Sequence, residues 1–355
     1  MEISVIGAGN GGQAMSGFLG MNGHRVTLYD RNTHKIEQLR KVGGIHLVGQ
    51  ISGFGKIAVF TDDISVAVRN AELIMVTTTA NAHRDLAQAM TPWLTDGQVI
   101  ILNPGRTGGA LEFDQVLRAN NVGHKVYIAE AQTLIYACRI VENGAVHIIG
   151  VKDKVLVSAL PASETDRVIR VVQPIFPCFY PTDNVLRTSL ENIGAMFHPC
   201  VLLFNAATIE WKNEFYFYRD MTPKIADFIE KFDSERLAVG KAYGLNLIGV
   251  SDWISTAYSG TVGNNLCEKM RNNPGYHDIK SPSSIYTRQL MEDIPMGVIP
   301  IMELGKALNV EMKLFESMTA ICSSLLDIDF YREGRTLESM GIKGLSKDDI
   351  IKKIS

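Results

Sequence analysis

The sequence has little of what marks a secreted, membrane-spanning or nucleic-acid-binding chain. Its five cysteines are Cys138, Cys178, Cys200, Cys267 and Cys322. They are odd in number, form no C-x-x-C pair and lie among apolar neighbours, which excludes a disulfide framework and a zinc knuckle and points to a reducing compartment. No basic run occurs, and the net charge is −3, so the electrostatic footprint of a DNA- or RNA-binding surface is lacking. No uninterrupted apolar stretch reaches the ~18 residues that suggest a membrane span. The strand-like EISVIG at the start leaves no room for a signal peptide. These absences predict a cytoplasmic protein with no nucleic-acid or membrane partner, and the scattered histidines form no metal pattern.

What remains is an ordinary globular composition, 46% hydrophobic and 21% charged, spread over 355 residues. That length is long for a single core, so two domains are expected. ISVIGAGNGGQAMSGFLGMNGHRVTLYDRN opens with a β-branched run, continues through glycines into a helix-period segment and ends in a second strand, RVTLYD. This is one βαβ unit. Strand-like runs recur at AELIMVTTT, GQVIILNPG, KVYIAEAQT, AVHIIGV and KVLVSAL, with helical segments between the earlier ones. The alternation predicts a Rossmann-like α/β domain with a doubly wound, mostly parallel sheet over residues 1–183. Beyond the linker PCFYPTDNV the strand signals almost vanish. LENIGAMFHPCVLLFNAATIEWK reads as one long apolar helix, and further helices are expected at PKIADFIEKFDSERLAVGKAYG, IPMGVIPIMELGKALN and KLFESMTAICSSLLDID. Residues 184–355 are therefore expected to be an all-α domain.

Gly7, Gly9 and Gly12 fit G-x-G-x-x-G. The pattern gains meaning here because it follows a strand and opens a helix. The first glycine permits the tight turn, and the second lets the backbone approach a pyrophosphate. The third packs the helix on the strand, so that the N–H groups of Asn10, Gly11 and Gly12 face the anion. Asp30 closes the second strand, where a carboxylate accepts hydrogen bonds from the adenosine ribose. Its charge favours NAD, while the adjacent Arg31 offers a grip for the 2′-phosphate of NADP.

Three further stretches carry a resemblance: NPGRTGGALEF at 103–113, MFHPCVLLFN at 196–205 and TRQLMEDIP from 287. With GAGNGG, the TANAH segment and the GRTLESMGIKGLS tail, the chain resembles the octopine/nopaline (opine) dehydrogenase family over essentially its whole length. The resemblance implies a dinucleotide domain, a helical substrate domain and a cleft between them. It also implies an NADH- or NADPH-dependent reaction in which a 2-oxo acid condenses with the amino group of an amino acid and the imine is reduced. Matched to the family's motifs, His198 is similar to the catalytic histidine, Asp293 to its carboxylate partner, and Arg288 to the arginine that holds a substrate carboxylate. Thr133 and Cys138 fall where the family lines its cleft. There is one departure: family members often carry asparagine four residues before the histidine, and here Gly194 stands there, with Asn192 the nearest substitute.

Each assignment has a plainer alternative. A histidine in an apolar helix is ordinarily a core residue. What singles out His198 is that imidazole, with an ordinary pKa of about 6.5, can both give and take a proton at neutral pH, as imine reduction requires. Asp293, two residues before Pro295, reads equally as a cap at the head of a helix, and Arg288 as a surface partner of Glu292 at i,i+4. Trp211, Trp253 and the aromatic run EFYFY at 214–218 read either as an apolar wall for a substrate side chain or as packing between domains or between the copies of a homodimer. Two other functions fit the same plan: a reductase of a 2-oxo acid or sugar phosphate (ketopantoate reductase or glycerol-3-phosphate dehydrogenase type), and a non-catalytic dinucleotide-binding protein. The first of these relies on a cleft lysine, and none lies within ten residues of His198.

Overall fold

The computed structural model describes residues 1–258 and 260–355. The chain forms two compact units. The first comprises Met1–Gly105, Gly109–Thr188 and Lys353–Ser355, and the second Arg106–Gly108 and Ser189–Lys352.

The first unit contains twelve strands: β1 (Glu2–Ile6), β2 (Arg25–Tyr29), β3 (Gly44–Gly49), β4 (Gly53–Lys56), β5 (Val59–Thr61), β6 (Leu73–Val76), β7 (Val99–Leu102), β8 (Tyr127–Ala131), β9 (Tyr136–Glu142), β10 (Ala145–Val151), β11 (Val155–Leu160) and β12 (Phe179–Pro181). Eight of them form one sheet in the order β12-β11-β8-β7-β6-β1-β2-β5. Its neighbours pair in parallel except β11 on β8. β6 and β7 are buried along their whole length, as strands covered on both faces must be, and their uninterrupted apolar runs follow from that. The strand order reverses at β1, so the glycine turn after Ile6 stands at the switch point where open α/β sheets bind ligands. The remaining strands form a second sheet, β4-β3-β10-β9. Of this sheet the sequence announced only β10, as AVHIIGV, because GIHLVG and GFGK are too rich in glycine to read as strands.

The second unit is helical. Among its described residues, strand-like pairing is limited to a single bridge between Tyr216 and Lys280. Its longest helix, Pro223–Ala242, starts on Thr222, whose hydroxyl accepts from Ile225 N–H, with Pro223 in the first turn. Phe232 on this helix stacks on Phe315 at 4.2 Å between centroids. The fully buried Arg236 gives its Nε–H to Asp233 at 2.6 Å and its other donors to the carbonyls of Leu190 and Ile248. No helix among the described residues is long and apolar enough to cross a membrane.

Two local expectations are corrected. The single helix expected over LENIGAMFHPCVLLFNAATIEWK is broken, with separate helices at Gly194–Phe204 and Ala206–Glu210. The break at Asn205 accompanies a side-chain hydrogen bond from its Nδ2 back to Val201 O, which competes with continued helix. Asp293 does not cap a helix head. The helix begins at Arg288 after Thr287 and passes at Asp293 into a π-turn, Ile294–Val298, before resuming as Ile299–Ala307.

Candidate active site

In the first unit the glycine turn is held by the N–H of Gly7, in the left-handed region at φ 106°, which donates to Tyr29 O at 2.8 Å. A Cβ on Gly12 would stand 1.7 Å from Gly7 O, so the helix closes on the turn only with glycine there. A Cβ on Gly9 would meet nothing within 4 Å, and no side chain caps the adjoining Asn10–Met21 helix. A bare turn leading into an uncapped helix start fits a pyrophosphate. Gly11 faces the Leu134 side chain. The Asn10 side chain accepts from Ile140 N–H at 2.8 Å and so anchors the turn to β9.

Asp30 is tied down on both oxygens. Oδ2 accepts from Ala8 N–H and from Lys35 Nζ, each at 2.9 Å, and Oδ1 accepts from Asn32 N–H at 3.0 Å. Burial pushes this carboxyl up, but the donors from Asn32, Lys35 and Ala8 outweigh it and hold the group below the ordinary carboxylate range. Lys35 escaped the sequence reading, although it lies five residues from Asp30 on the next helix. Arg31 is exposed. Thr133 and Cys138 also belong to this unit. Both are half-buried, and burial pushes the Cys138 thiol up to about 11.

The second unit brings His198, Asp293 and Arg288 into one polar cluster. His198 Nδ1 lies 2.6 Å from Asp293 Oδ2, and Nε2 lies 2.9 Å from the Tyr218 hydroxyl. A carboxylate can only accept, so Nδ1 carries the proton, and Nε2 of the neutral ring accepts from the phenol. The His198 side chain is 16% exposed and that of Asp293 1%. Burial, with Tyr258 and Asp293 nearby, raises the Tyr218 hydroxyl well above its ordinary range and keeps it a phenol.

A second arginine completes the cluster. Arg106 Nη1 lies 3.4 Å from Asp293 Oδ1 and 3.1 Å from Asn192 Oδ1, and its Nη2 lies 3.2 Å from Glu292 Oε2. Burial opposes the Arg106 charge, but Asp293 and Glu292 outweigh it and hold the guanidinium protonated. Glu292 Oε2 also accepts from Arg288 Nη1 at 2.7 Å, so this buried carboxylate bridges two guanidinium groups. Arg288 itself is 58% exposed.

The proline-rich turn explains how Arg106 is held. Ile299 N–H donates to Ile294 O, one residue further back than in an α-helix, which leaves Pro295 O unclaimed. Pro300 has no N–H to give Met296 O. Arg335 N–H takes the first carbonyl at 2.9 Å, and Thr107 N–H takes the second at 3.1 Å. Arg335, itself buried, also donates from Nη1 to Thr107 O at 2.6 Å. The short Arg106–Gly108 segment is thus clamped to the helix that carries Asp293. This arrangement also accounts for charge beside the apolar run IPMGVIPIMEL: the run frees two carbonyls that fix the charged cluster.

Two members were missed. Arg106 sat in view within NPGRTGG, at a position the motif leaves variable. Tyr218 lay in the aromatic run read as an apolar wall or as packing, and its ring does stack on Tyr276 at 4.3 Å, but its hydroxyl faces His198.

Comparison with known proteins extends this picture. Residues 181–326 match the family described as NAD/NADP octopine/nopaline dehydrogenase, alpha-helical domain. Residues 2–117 match the NAD-dependent glycerol-3-phosphate dehydrogenase N-terminus. An opine dehydrogenase of Arthrobacter sp. (strain 1C) is 36% identical over 97% of this chain and 96% of its own length. The structure of octopine dehydrogenase with NADH and L-arginine superposes with a TM-score of 0.82 at 20% identity, covering 99% of this chain and 98% of that one. Yersinopine dehydrogenase with NADP+ superposes with a TM-score of 0.74 at 13% identity, over 100% of this chain and 97% of that one. A dinucleotide-binding α/β unit followed by this helical unit defines an NAD(P)-dependent oxidoreductase. Within that class the chain belongs to the opine dehydrogenase family, whose members act on a CH–NH group.

Proposed function

We propose that the protein joins a 2-oxo acid to the amino group of an amino acid and reduces the resulting imine with NADH. Residues 1–183 bind the cofactor and residues 184–355 provide the substrate chemistry. The observation that carries this reading is the 2.6 Å hydrogen bond between His198 and the buried Asp293. Asp293 fixes the ring and stabilises its protonated form, so that His198 can pass a proton at the substrate nitrogen or the carbinolamine oxygen. Bound NADH supplies the hydride. Arg288, exposed and committed to Glu292 through one nitrogen, keeps donors for a substrate carboxylate. Thr133 and Cys138 take the lining role, Thr133 as the hydrogen-bonding member and Cys138 as an apolar one, since its raised thiol stays protonated at neutral pH. Five free thiols support a cytoplasmic setting, and exposed apolar side chains such as Trp211, 77% exposed, accord with a homodimer.

The test is NADH oxidation across a matrix of 2-oxo acids and amino acids, with each substrate also supplied alone. Turnover is expected only with both. Reduction of an oxo acid alone at a comparable rate would transfer the assignment to the simple reductase reading.

For the cofactor, Asp30 favours NADH over NADPH, because its carboxylate repels a 2′-phosphate, and Lys35 is already neutralised against it. Fluorescence titration is expected to show tighter binding of NADH. Asp30→Ala should weaken NADH by about 10-fold or more, since hydrogen bonds to a charged group contribute about 1.5–3 kcal/mol. Because the folded carboxyl lies below its ordinary value of about 3.9, its contribution is complete above that pH and is lost only as pH falls through the lower folded value. Equal or tighter NADPH binding would mean that Arg31 and Lys35 outweigh Asp30.

A further inference from the structure

Gly194 stands one helical turn before His198. Its backbone is ordinary helix, with no left-handed φ to demand glycine. What it provides is space. A Cβ there would stand 3.0 Å from Arg106 Nη1, 3.3 Å from His198 Cε1 and 3.5 Å from His198 Nδ1. The Arg106 guanidinium therefore fills the volume that a side chain at 194 would claim, and from there it reaches the Asp293 oxygen not engaged by His198. Its approach is fixed from behind, because Arg106 is in the left-handed region at φ 58° and Thr107 is held through both its N–H and its C=O.

We propose that Arg106 is a positioning residue for the His198–Asp293 pair, admitted to it by the bare backbone of Gly194. It locks the Asp293 carboxylate in the orientation that receives Nδ1–H, and its positive charge limits how tightly the pair holds an added proton. The inference rests on the acid–base roles given above to His198 and Asp293. The other charged and titratable groups facing the pair are Glu292 and Arg288, on the helix of Asp293, and Tyr218 with Tyr258 and Tyr276 beyond it. Glu292 is tied to both arginines. The three phenols are raised by burial and do not titrate near neutral pH.

Removing the charge makes the pair bind its proton more tightly, whichever atom carries it. In Arg106→Gln the pH profile of kcat/KM should therefore move upward, by about one pH unit for loss of a neighbouring opposite charge to a carboxylate. Arg106→Lys, which keeps the charge, should leave the profile near that of the parent while kcat falls. Gly194→Asn should displace the guanidinium and shift the profile in the same direction as Arg106→Gln, and the double variant should shift no further than either single one. A thermal melt verifies that each variant is folded, and NADH titration that the cofactor unit is intact. A loss of kcat with no movement of the profile, a rise in the oxo-acid KM alone, or additive shifts in the double variant would each overturn the proposal. His198→Ala run in parallel separates the two levels: if that variant stays active the acid–base reading fails, and if it is inactive while the Arg106 profiles stay fixed only the present inference fails.

Discussion

His198→Ala is expected to lower kcat by about 10²–10⁴, the usual worth of general acid–base help, while NADH affinity stays unchanged. The affinity should hold because the glycine turn and Asp30 are fixed by hydrogen bonds among first-unit residues alone, to Tyr29, Asn32 and Lys35. Ala in place of His198 leaves Tyr218 without its hydrogen-bond partner and Asp293 with only its ion pair to Arg106, so a thermal melt must accompany the kinetics. A folded variant that turns over within a few-fold of the parent would return His198 to the status its apolar helix suggests, that of a core histidine.

The next largest effect is expected from Asp293→Asn. The amide still offers an oxygen to Nδ1–H but no longer stabilises a protonated ring. A hydrogen bond to a charged group contributes about 1.5–3 kcal/mol, so kcat should fall by roughly 10–100-fold, and the pH profile should move toward lower pH because the proton is held less tightly. That direction is opposite to the shift expected for Arg106→Gln, as it must be when one change removes a negative charge and the other a positive one. A profile that fails to move, in a folded protein, would reduce Asp293 to a packing role.

Much of the fold was legible because its physics is local. β6 and β7 are buried on both faces and so read as unbroken apolar runs, and the glycine motif is confined to six consecutive residues, three between the strand and the helix and three opening the helix. β3 and β4 are the counterexample. Their glycines let one element press on another, and a Cβ on Gly55 would stand 1.9 Å from Gly17 O, so close packing removed the side chains that would have marked a strand. The helical unit was readable as helical, but not the breaks within it, which depend on what Asn205 binds. The candidate site was the least local of all. His198 and Asp293 are 95 residues apart, and Arg106 and Glu292 186 apart. No periodicity links such pairs, and only the resemblance brought the first two together. Arg106 had no such guide, because the reason for its position lies in a missing side chain at 194 and two unclaimed carbonyls at 295 and 296.

The π-turn at Ile294–Val298 holds one residue more than an α-helix needs. Deleting Met296, Gly297 or Val298 would remove the extra residue with the apolar character of the run almost unchanged. It would also swing the stretch Arg288–Asp293 by about 100° around the axis relative to the helix Ile299–Ala307, turning Asp293 away from His198. Every letter of TRQLMED would survive such a deletion. A lineage of these chains could therefore go silent through the loss of a single codon outside the signature, and a census of retained signature residues would still count it among the living.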